Sequence, residues 1–344
     1  MARRVSIKDV AQHAGVSWKT VSNVVNERPV VRADTREKVL AAIDELGYVP
    51  NHVGRELRGG PTRSIALVVP ELQNPYFARL AERMQAAARE RGYTVSVEVS
   101  LHSPQVERAH VHGRTARPVD AVVISPTALE PADLLERHSG PPVVLLGETL
   151  TAAQGVVHVA IDNVGSAGDV VRHLVATGHR RLLFLGADSA ARSTGADRLA
   201  GFQEASRAAG LPQDPDLLRS ATSWTREEGC EEVRRTLEAG IEIDAVVAGN
   251  DLMAIGALAA LREHGLRVPE DVAVVGWDDV AEAAWTMPAL TTIAPDLDAL
   301  IAAALDAAID GVERSRTAGA ENVIAHRLVQ RASTRPVDAE SAAV

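Results

Sequence analysis

A predicted helix that begins after Ser17 carries side chains that could contact DNA. Serine is a good N-cap, and the helix has an apolar stripe on one face, formed by Val21, Val24 and Val25. Trp18, Lys19 and Asn23 fall outside that stripe. An outward tryptophan is costly on a solvated face, whereas this set of side chains can contact base edges and phosphates in a major groove. We therefore predict DNA binding; the alternative is a helical bundle that binds nothing.

Two further predicted helices flank this one. Ser6 and Asp9 have capping-box spacing for a first helix, which Gly15 ends. A third helix is predicted from Asp34 to Leu46, with Gly47 as its stop. Its apolar positions at helical spacing are Val39, Leu40, Ile43 and Leu46. A helix, a glycine-containing turn and a second helix are typical of helix-turn-helix units, and three such helices can enclose a small core.

The chain from residue 62 onward alternates short apolar runs with amphipathic helices. Examples are SIALVVP before YFARLAERMQAAARERG, and AVVAG before DLMAIGALAALREHG. Such alternation predicts parallel sheets with right-handed crossovers. The pattern restarts near Asp162, which predicts two similar α/β subdomains. Ligands of open α/β sheets bind at the carboxyl ends of strands, so a cleft between the subdomains is the expected ligand site.

Three polar residues lie near this expected site. Arg198 opens a predicted helix, where a cation opposes the helix dipole unless it has a partner; it could also be a surface arginine. Asp278 directly follows the strand VAVVGW, where it could also be only a turn residue. Asn250 follows the strand AVVAG and begins a helix, so it could be an N-cap, a ligand contact or both.

Composition and charge indicate a globular protein with a separate basic end. The 344 residues are 46% hydrophobic and 24% charged. Residues 1 to 60 carry 10 Lys/Arg against 7 Asp/Glu, a net of +3, and the rest carries 26 against 39, a net of −13. The single cysteine, Cys230, cannot form an internal disulfide. Without a signal-peptide pattern or a long apolar run, we expect a cytoplasmic protein that is not bound to a membrane.

The sequence lacks the motifs of common enzymes and metal sites. His102, His110 and His112 lie close together, but they have neither metal-ligand spacing nor a nearby carboxylate pattern. No GxGxxG, GxxxxGK[ST] or GxSxG motif stands at a strand-to-helix turn. We therefore expect no metal, no cofactor and no catalytic residues, and we predict that the chain is not an enzyme.

Several segments carry a resemblance to a known family. They are SIKDVAQHAGVSWKTVSNVVN, VRADTREKVLAAIDELGYVPN, IALVVPELQNPYF, GNDLMAIGALAALREHGLRVPEDVAVVGWDD and PALTTI. Through them the chain, up to about residue 336, resembles the lactose-repressor (LacI/GalR) family of bacterial transcription regulators. The resemblance implies an N-terminal all-α helix-turn-helix headpiece and an α/β periplasmic-binding-protein-like core of two parallel-sheet subdomains.

The resemblance also implies how the chain is divided. It places a helix-turn-helix DNA-binding headpiece at 1–50, a hinge helix and linker at 51–61, and an effector-binding core at 62–336. Within the core, the first subdomain takes about 62–161 and 294–325, and the second takes about 162–293 and 326–336. Residues 337–344 are expected to be a disordered tail without the leucine heptads of a tetramerisation helix, so we expect a homodimer.

The DNA-contacting residues implied by the resemblance lie in the headpiece and the hinge. They are Ser6, Ser17, Trp18, Lys19, Thr20, Ser22, Asn23, Asn26, Asn51, Val53, Gly54 and Leu57. Leu57 matches a family leucine that enters the minor groove; it could instead pack on the core. Gly54, where the family usually has alanine, and Glu56, a carboxylate near phosphates, predict a weaker hinge. The family often has arginine where this chain has Asn23, and asparagine suits adenine rather than guanine.

The effector-binding residues implied by the resemblance surround the cleft. They are Phe77, Ser125, Asp162, Arg198, Trp224, Asn250 and Asp278. Trp224 matches an aromatic residue that stacks on the ligand, although the capping-box spacing of Thr225 and Glu228 would also suit a hydrophobic staple. The implied function is that of a repressor that binds a pseudo-palindromic DNA operator as a homodimer, under the control of a small-molecule effector, expected to be a carbohydrate. An enzyme and a transport-associated sugar-binding protein are the alternatives.

Overall fold

A computed structural model describes residues 5–25, 30–48, 62–137, 139–148, 150, 155–187, 193–314 and 321–336. The chain forms two compact units, Met1–Thr62 and Arg63–Val344. We call them the helical unit and the α/β unit and describe each by itself.

The helical unit contains the three predicted helices: α1 Ile7–His13, α2 Trp18–Val25 and α3 Ala33–Leu46. The predicted capping box forms at α1, because Ser6 accepts from the amide of Asp9 and the Asp9 carboxylate accepts from the amide of Ser6. The predicted N-cap forms at α2, where Ser17 Oγ accepts from the amide of Thr20 at 3.1 Å. Gly47 ends α3 in the left-handed conformation, as predicted.

All three helices contribute to a small buried core. Val10, Val21, Val24 and Val39 are among its members. Leu40, predicted to lie on the core side of α3, is 50% exposed. Leu40 lies about 100° around the helix from the buried Val39. Ala42, almost one turn after Val39, is buried instead of Leu40.

Two six-stranded sheets form the α/β unit. The strands of the first sheet are β1 Ser64–Val69, β2 Thr94–Val99, β3 Ala121–Ile124, β4 Val143–Leu146, β5 Val156–Ile161 and β11 Glu321–Ile324. They stand in the order β2-β1-β3-β4-β5-β11, and each neighbouring pair is parallel. All residues of β3 and β4 are buried, as expected for central strands of a parallel sheet that is covered on both faces.

The second sheet repeats this arrangement. Its strands are β6 Leu182–Ala187, β7 Leu218–Ser220, β8 Ala245–Ala248, β9 Ala273–Trp277, β10 Thr291–Pro295 and β12 His326–Val329. They stand in the order β7-β6-β8-β9-β10-β12. The predicted parallel pairing is confirmed except at β12, which runs antiparallel to β10. Because β12 follows β11 after a single residue, Ala325, its direction is set by β11 in the first sheet rather than by β10.

The helices of the α/β unit that the structure describes cover both sheets. They are α4 Pro75–Glu90, α5 Pro104–Val111, α6 Pro131–Leu135, α7 Asn163–Ala176, α8 Thr194–Ala208, α9 Arg226–Glu238, α10 Asp251–Glu263 and α11 Leu297–Arg314. Helices α4 and α11 share a core with the first sheet. Helices α7 and α8 pack on one face of the second sheet and α9 and α10 on the other. We call the elements on the first sheet the first half and those on the second sheet the second half.

None of the helices in the described part of the chain is long and apolar enough to cross a membrane.

Candidate functional site

The outer face of α2 carries most of the described candidate DNA-contacting residues. Ser17, Trp18 and Lys19 are exposed, and Thr20, Ser22 and Asn23 are half-buried. Val21 and Val24 pack into the core, whereas Trp18 is outside the core as predicted, with 44% of its surface exposed. Ser6 lies elsewhere, at the N-cap of α1, and its hydroxyl donates to the Asp9 carboxylate at 2.7 Å. Asn26, Asn51, Val53, Gly54 and Leu57 lie outside the described residues.

Arg198 is buried inside the second half, with only 7% of its surface exposed. It lies on the second turn of α8, which begins earlier than predicted. Its Nε donates to Asn163 Oδ1 at 3.0 Å, and its Nη1 donates to the carbonyl of Gly249. The guanidinium carbon lies 5.0 Å from the ring centre of Trp277 and 6.0 Å from that of Trp224. Arg198 is therefore not a surface arginine.

A close helix contact brings Arg198 to Asn163. Gly201, one turn after Arg198 on α8, lies against the carbonyl of Val164 at the start of α7. A Cβ at position 201 would be 2.2 Å from that carbonyl oxygen, so only glycine permits the approach.

Trp224 lies over the carboxyl ends of β6 and β8. A Cβ on Gly249 would be only 2.8 Å from its indole ring, and a Cβ on Gly186 would be 3.4 Å away. The predicted capping box is half formed, because Thr225 Oγ1 accepts from the amide of Glu228 at 3.2 Å. The Glu228 carboxylate does not return to the N-cap; it accepts from the amides of Thr222, Ser223 and Trp224 and fixes the loop that carries the indole.

Asn250 is the N-cap of α10. Its Oδ1 accepts from the amide of Met253 at 2.8 Å, and its Nδ2 donates to the carbonyl of Trp224 at 3.0 Å. Of the two roles that the sequence allows, the N-cap is observed, and the same amide also holds Trp224. A direct ligand contact by Asn250 stays a prediction.

Asp278 directly follows β9 and has a φ of 101°, and Asp279 after it has a φ of 48°. Burial raises the pKa of Asp278, and the nearby Arg198 and Arg79 act in the opposite direction. Burial likewise lowers the pKa of Arg198, and Asp278 and Glu148 oppose that change. The charges of Arg198 and Asp278 thus act on each other at the end of the second sheet.

Asp251 fixes the loop that carries Asp278. It is fully buried, and its Oδ1 accepts from Thr292 Oγ1 at 2.6 Å, while its Oδ2 accepts from the amide of Val280 at 2.8 Å. Burial raises the pKa of Asp251 well above its usual value, and the charge of Asp278 raises it further.

The first half contributes an aromatic pair from the first turn of α4. The rings of Tyr76 and Phe77 meet edge to face, with centroids 5.2 Å apart. Phe77 packs on the core of the first sheet, whereas Tyr76 packs on that core and on a core of the second sheet. Burial and the neighbouring Asp278 raise the pKa of Tyr76. Tyr76, which was not among the predicted site residues, therefore reaches the second half.

The two remaining candidates lie at strand ends with local roles. Ser125 follows β3, is half-buried, and its amide donates to the carbonyl of Val68 at 2.9 Å. Asp162 is exposed and caps α7, accepting from the amide of Gly165 at 2.7 Å. The next residue, Asn163, is the one bonded to Arg198.

The sequence also offers Asn163, beside Asp162 at the change of sheet, and two further residues of this site were missed. Glu148 stands two residues after β4, so its position near a strand end could have indicated it. Arg79 stands three residues after Tyr76 on α4, on the same helix face, which is the only signal the sequence offers for it. Glu148 Oε2 accepts from the amide of Thr194 at 2.7 Å, which links the first half to α8.

The geometry suits the binding of a small polar ligand with a flat or apolar face. A buried guanidinium and a carboxylate supply donors and acceptors, and Trp224 and Tyr76 supply aromatic surface. Among the residues described, no group of three or more histidine, cysteine, aspartate or glutamate side chains is arranged to hold a metal ion.

Comparisons with known proteins agree with both units. The family described as bacterial regulatory proteins, lacI family, matches residues 6–51, and the periplasmic binding protein-like domain matches residues 171–334. The HTH-type transcriptional repressor PurR of Klebsiella pneumoniae is 33% identical over 95% of this chain and 96% of its own length.

Solved structures match over almost the whole chain. The Lac repressor dimer bound to operator and the anti-inducer ONPF is 28% identical, with a TM-score of 0.83 over 96% of this chain and 99% of that one. The complex of the transcriptional regulator CelR with cellobiose is 32% identical, with a TM-score of 0.69 over 96% of this chain and 100% of that one.

A helix-turn-helix unit joined to a periplasmic-binding-protein-like core of two sheets defines a class of DNA-binding transcription regulators. The chain belongs to the lacI family of bacterial regulatory proteins.

Proposed function

We propose that this regulator is a cytoplasmic repressor that binds a pseudo-palindromic operator as a homodimer and is controlled by a small-molecule effector bound between the two halves of the α/β unit. The PurR relative, which is named a repressor, supports the role of a repressor. The Lac repressor dimer bound to its operator supports operator binding as a homodimer. The proposal keeps the division predicted from the sequence, with the headpiece at 1–50, the hinge at 51–61 and the effector-binding core at 62–336.

In the helical unit, the proposal assigns base contacts to Trp18, Lys19 and Asn23 on the outer face of α2. The exposure of Trp18 and Lys19, and the position of Asn23 outside the core of the helical unit, support this assignment. The net charge of +3 over residues 1 to 60 provides the attraction to phosphates, whose neutralisation releases counterions and makes binding salt-dependent.

In the α/β unit, the observation that carries the proposal is the buried guanidinium of Arg198, which lies close to the rings of two tryptophans and is influenced by the charge of Asp278. Burying a charge is costly unless its donors are used, and the described bonds of Arg198 go to acceptors at the carboxyl ends of the strands. We propose Phe77, Ser125, Asp162, Arg198, Trp224, Asn250 and Asp278 as effector contacts, and we add Tyr76. A carbohydrate is the proposed effector, because aromatic faces and charged donors suit a hydroxyl-rich ring and the CelR relative holds cellobiose.

A ligand screen tests the effector site. Sugars and nucleobases are added singly to the purified protein, and the melting temperature of the α/β unit is followed. A ligand at 100 times its Kd adds about 2.7 kcal/mol to the stability of the unit that binds it. Stabilisation by a sugar supports the proposed carbohydrate effector. Stabilisation by nucleobases alone means that the effector is a purine or pyrimidine instead. If neither class stabilises the protein, neither a carbohydrate nor a nucleobase is the effector.

The homodimer has its own support in the α/β unit. Trp285 is 88% exposed and Met287 is 94% exposed in the segment between β9 and β10. Large apolar side chains this exposed are typical of surfaces that a partner covers. We propose that a second copy of the chain covers them, and we expect the double substitution Trp285→Ser, Met287→Ser to lower the mass in light scattering from dimer toward monomer. An unchanged dimer mass contradicts this part of the proposal.

A further inference from the structure

One arginine of the first half makes two hydrogen bonds to the loop that carries Asp278. Arg79 lies on α4, which packs on the first sheet. Its Nη2 donates to the carbonyl of Asp278 at 2.9 Å, and its Nη1 donates to the carbonyl of Asp279 at 2.8 Å. Both carbonyls belong to the second half, so this guanidinium bridges the two halves beside the proposed effector site.

The loop is strained at the two residues that Arg79 holds. Asp278 and Asp279 have φ values of 101° and 48°, a region that residues other than glycine rarely adopt. Such a conformation is unfavourable for these residues and persists only where neighbouring groups determine it.

The groups that hold this loop come from different halves. Its amides are bonded within the second half, because Asp278 N donates to Ile293 O, Asp279 N donates to Thr292 Oγ1 and Val280 N donates to Asp251. Its carbonyls at 278 and 279 are bonded to the first half, through Arg79. The conformation of the Asp278 loop is thus held from both halves, and the contribution of the first half is made by Arg79.

We infer that Arg79 is a positioning residue of the effector site, which fixes the Asp278 loop when the two halves are closed and so couples effector binding to closure. The inference rests on the proposed function only in that the bound molecule is an effector. The link between closure of the two halves and the conformation of the loop does not require a ligand. Arg79 touches the loop backbone, and it acts on a ligand through Asp278.

A second contact between the halves provides an independent reporter of closure. Glu148, after β4 in the first half, accepts from the amide of Thr194 at the start of α8 in the second half, at 2.7 Å. If Arg79 only stabilised its own loop, its loss would leave this amide protected. If Arg79 holds the halves together, its loss exposes the amide of Thr194 as well.

Arg83 offers a matched control on the same helix. One turn after Arg79, its Nη1 donates to Asp298 on α11 at 2.7 Å. Both side chains of that pair are exposed, at 50% and 79%, and both belong to the first half. Arg83→Met therefore removes a guanidinium of α4 without touching a contact between the halves.

The test is hydrogen exchange followed by mass spectrometry on the full-length protein without added ligand. Arg79→Met keeps the aliphatic stem and removes the donors. We expect at least tenfold faster exchange in peptides that contain residues 278–280 and Thr194, with unchanged exchange in β8 and in α2. Arg79→Lys, which has a charge but no fork for two carbonyls, should give a smaller increase, and Arg83→Met should match the parent.

Unchanged exchange at residues 278–280 in Arg79→Met overturns the inference. Faster exchange at residues 278–280 with Thr194 still protected overturns it too, as does faster exchange that is equally large in β8. Should Arg79→Met fail to fold, Arg79→Lys is judged by the same three peptides. Because no ligand is added, these results stand whether or not the ligand screen finds a carbohydrate, so the two proposals fail separately.

Discussion

The helical unit and the α/β unit hold their candidate functional residues in opposite ways. Trp18 in the helical unit is 44% exposed, and Lys19 beside it is also exposed. Arg198 in the α/β unit is 7% exposed and bonded to Asn163 and Gly249. A side chain that must contact bases has to remain open, whereas one that must hold a small ligand is fixed in advance. Substitutions in the first unit should change binding alone, and substitutions in the second should change binding and stability together.

The largest effect expected from this comparison is the loss of operator binding when residues 1–60 are removed. The α/β unit keeps its own core and should stay folded, because the two units are separately compact. Specific binding exceeds non-specific binding by about 10³ or more, so anisotropy with a labelled operator should fall to background. If the truncated chain still binds the operator, the DNA-binding surface does not lie in the helical unit.

The next effect is a loss of stability in the α/β unit of Arg198→Ala. This change leaves two buried acceptors, Asn163 Oδ1 and the Gly249 carbonyl, without their donor. An unsatisfied buried group costs about 1–3 kcal/mol, so with two such groups we expect the free energy of unfolding in urea to fall by about 2–6 kcal/mol. Arg207→Ala, at an exposed position on the same helix, is the control and should change it by less than about 0.5 kcal/mol. Equal stability of the two variants would show that Arg198 is not held as described.

A smaller effect, which changes base preference but not stability, is expected at Asn23. Asparagine pairs with N6 and N7 of adenine and arginine with O6 and N7 of guanine, each discriminating by about 1–3 kcal/mol. Asn23→Arg should therefore shift one base of a selected consensus toward guanine and leave thermal stability unchanged, because Asn23 is half-buried outside the core. Selection from a random library checks the consensus. An unchanged consensus means that Asn23 does not read a base.

The smallest effect expected is a loss of stability at acid pH that is confined to the α/β unit. Burial lowers the pKa of His173 and of His179, so the folded unit keeps both neutral where the unfolded chain begins to bind protons. The contribution of these two histidines to stability is then full above about pH 6.5 and falls as the pH drops below it, by at most about 1.4 kcal/mol per pH unit for each histidine. The raised pKa values of Asp251 and Asp278 act in the opposite direction, so the comparison with a histidine variant isolates the histidines. Urea unfolding at pH 7.5 and 5.5 measures the fall, and His173→Gln should reduce it. A fall of the same size in His173→Gln would assign it to other groups.

Local chemistry explains why much of the helical unit could be predicted. The Ser6 and Asp9 capping box, the Ser17 cap and the Gly47 stop each involve residues within a few positions of one another. The prediction that Leu40 lies on the core side of α3 was wrong, because the sequence alone does not distinguish an inward from an outward leucine next to a core position.

Long-range contacts explain what was missed in the α/β unit. The strands that begin at Glu321 and His326 are partly exposed along their length, so they lack the buried apolar run of the central strands. Arg198 and Asp278 became candidates because they stand near a predicted helix start and a strand end, and Trp224 because of the family resemblance; their contacts with an effector stay predictions. Arg79 was missed because its partners lie about 200 positions away, and no local pattern marks a bond between two halves.

The most direct test of the account is whether the site around Arg198 controls the operator affinity of the helical unit. A ligand from the thermal-shift screen is titrated against the operator complex of the parent protein and of Arg198→Ala, under conditions where both are folded. Allosteric coupling is typically 1–3 kcal/mol, so we expect a change of about 5- to 150-fold in the operator Kd of the parent. Arg198→Ala should bind operator with the affinity of the unliganded parent and show no change with ligand. A full response in Arg198→Ala would contradict the account.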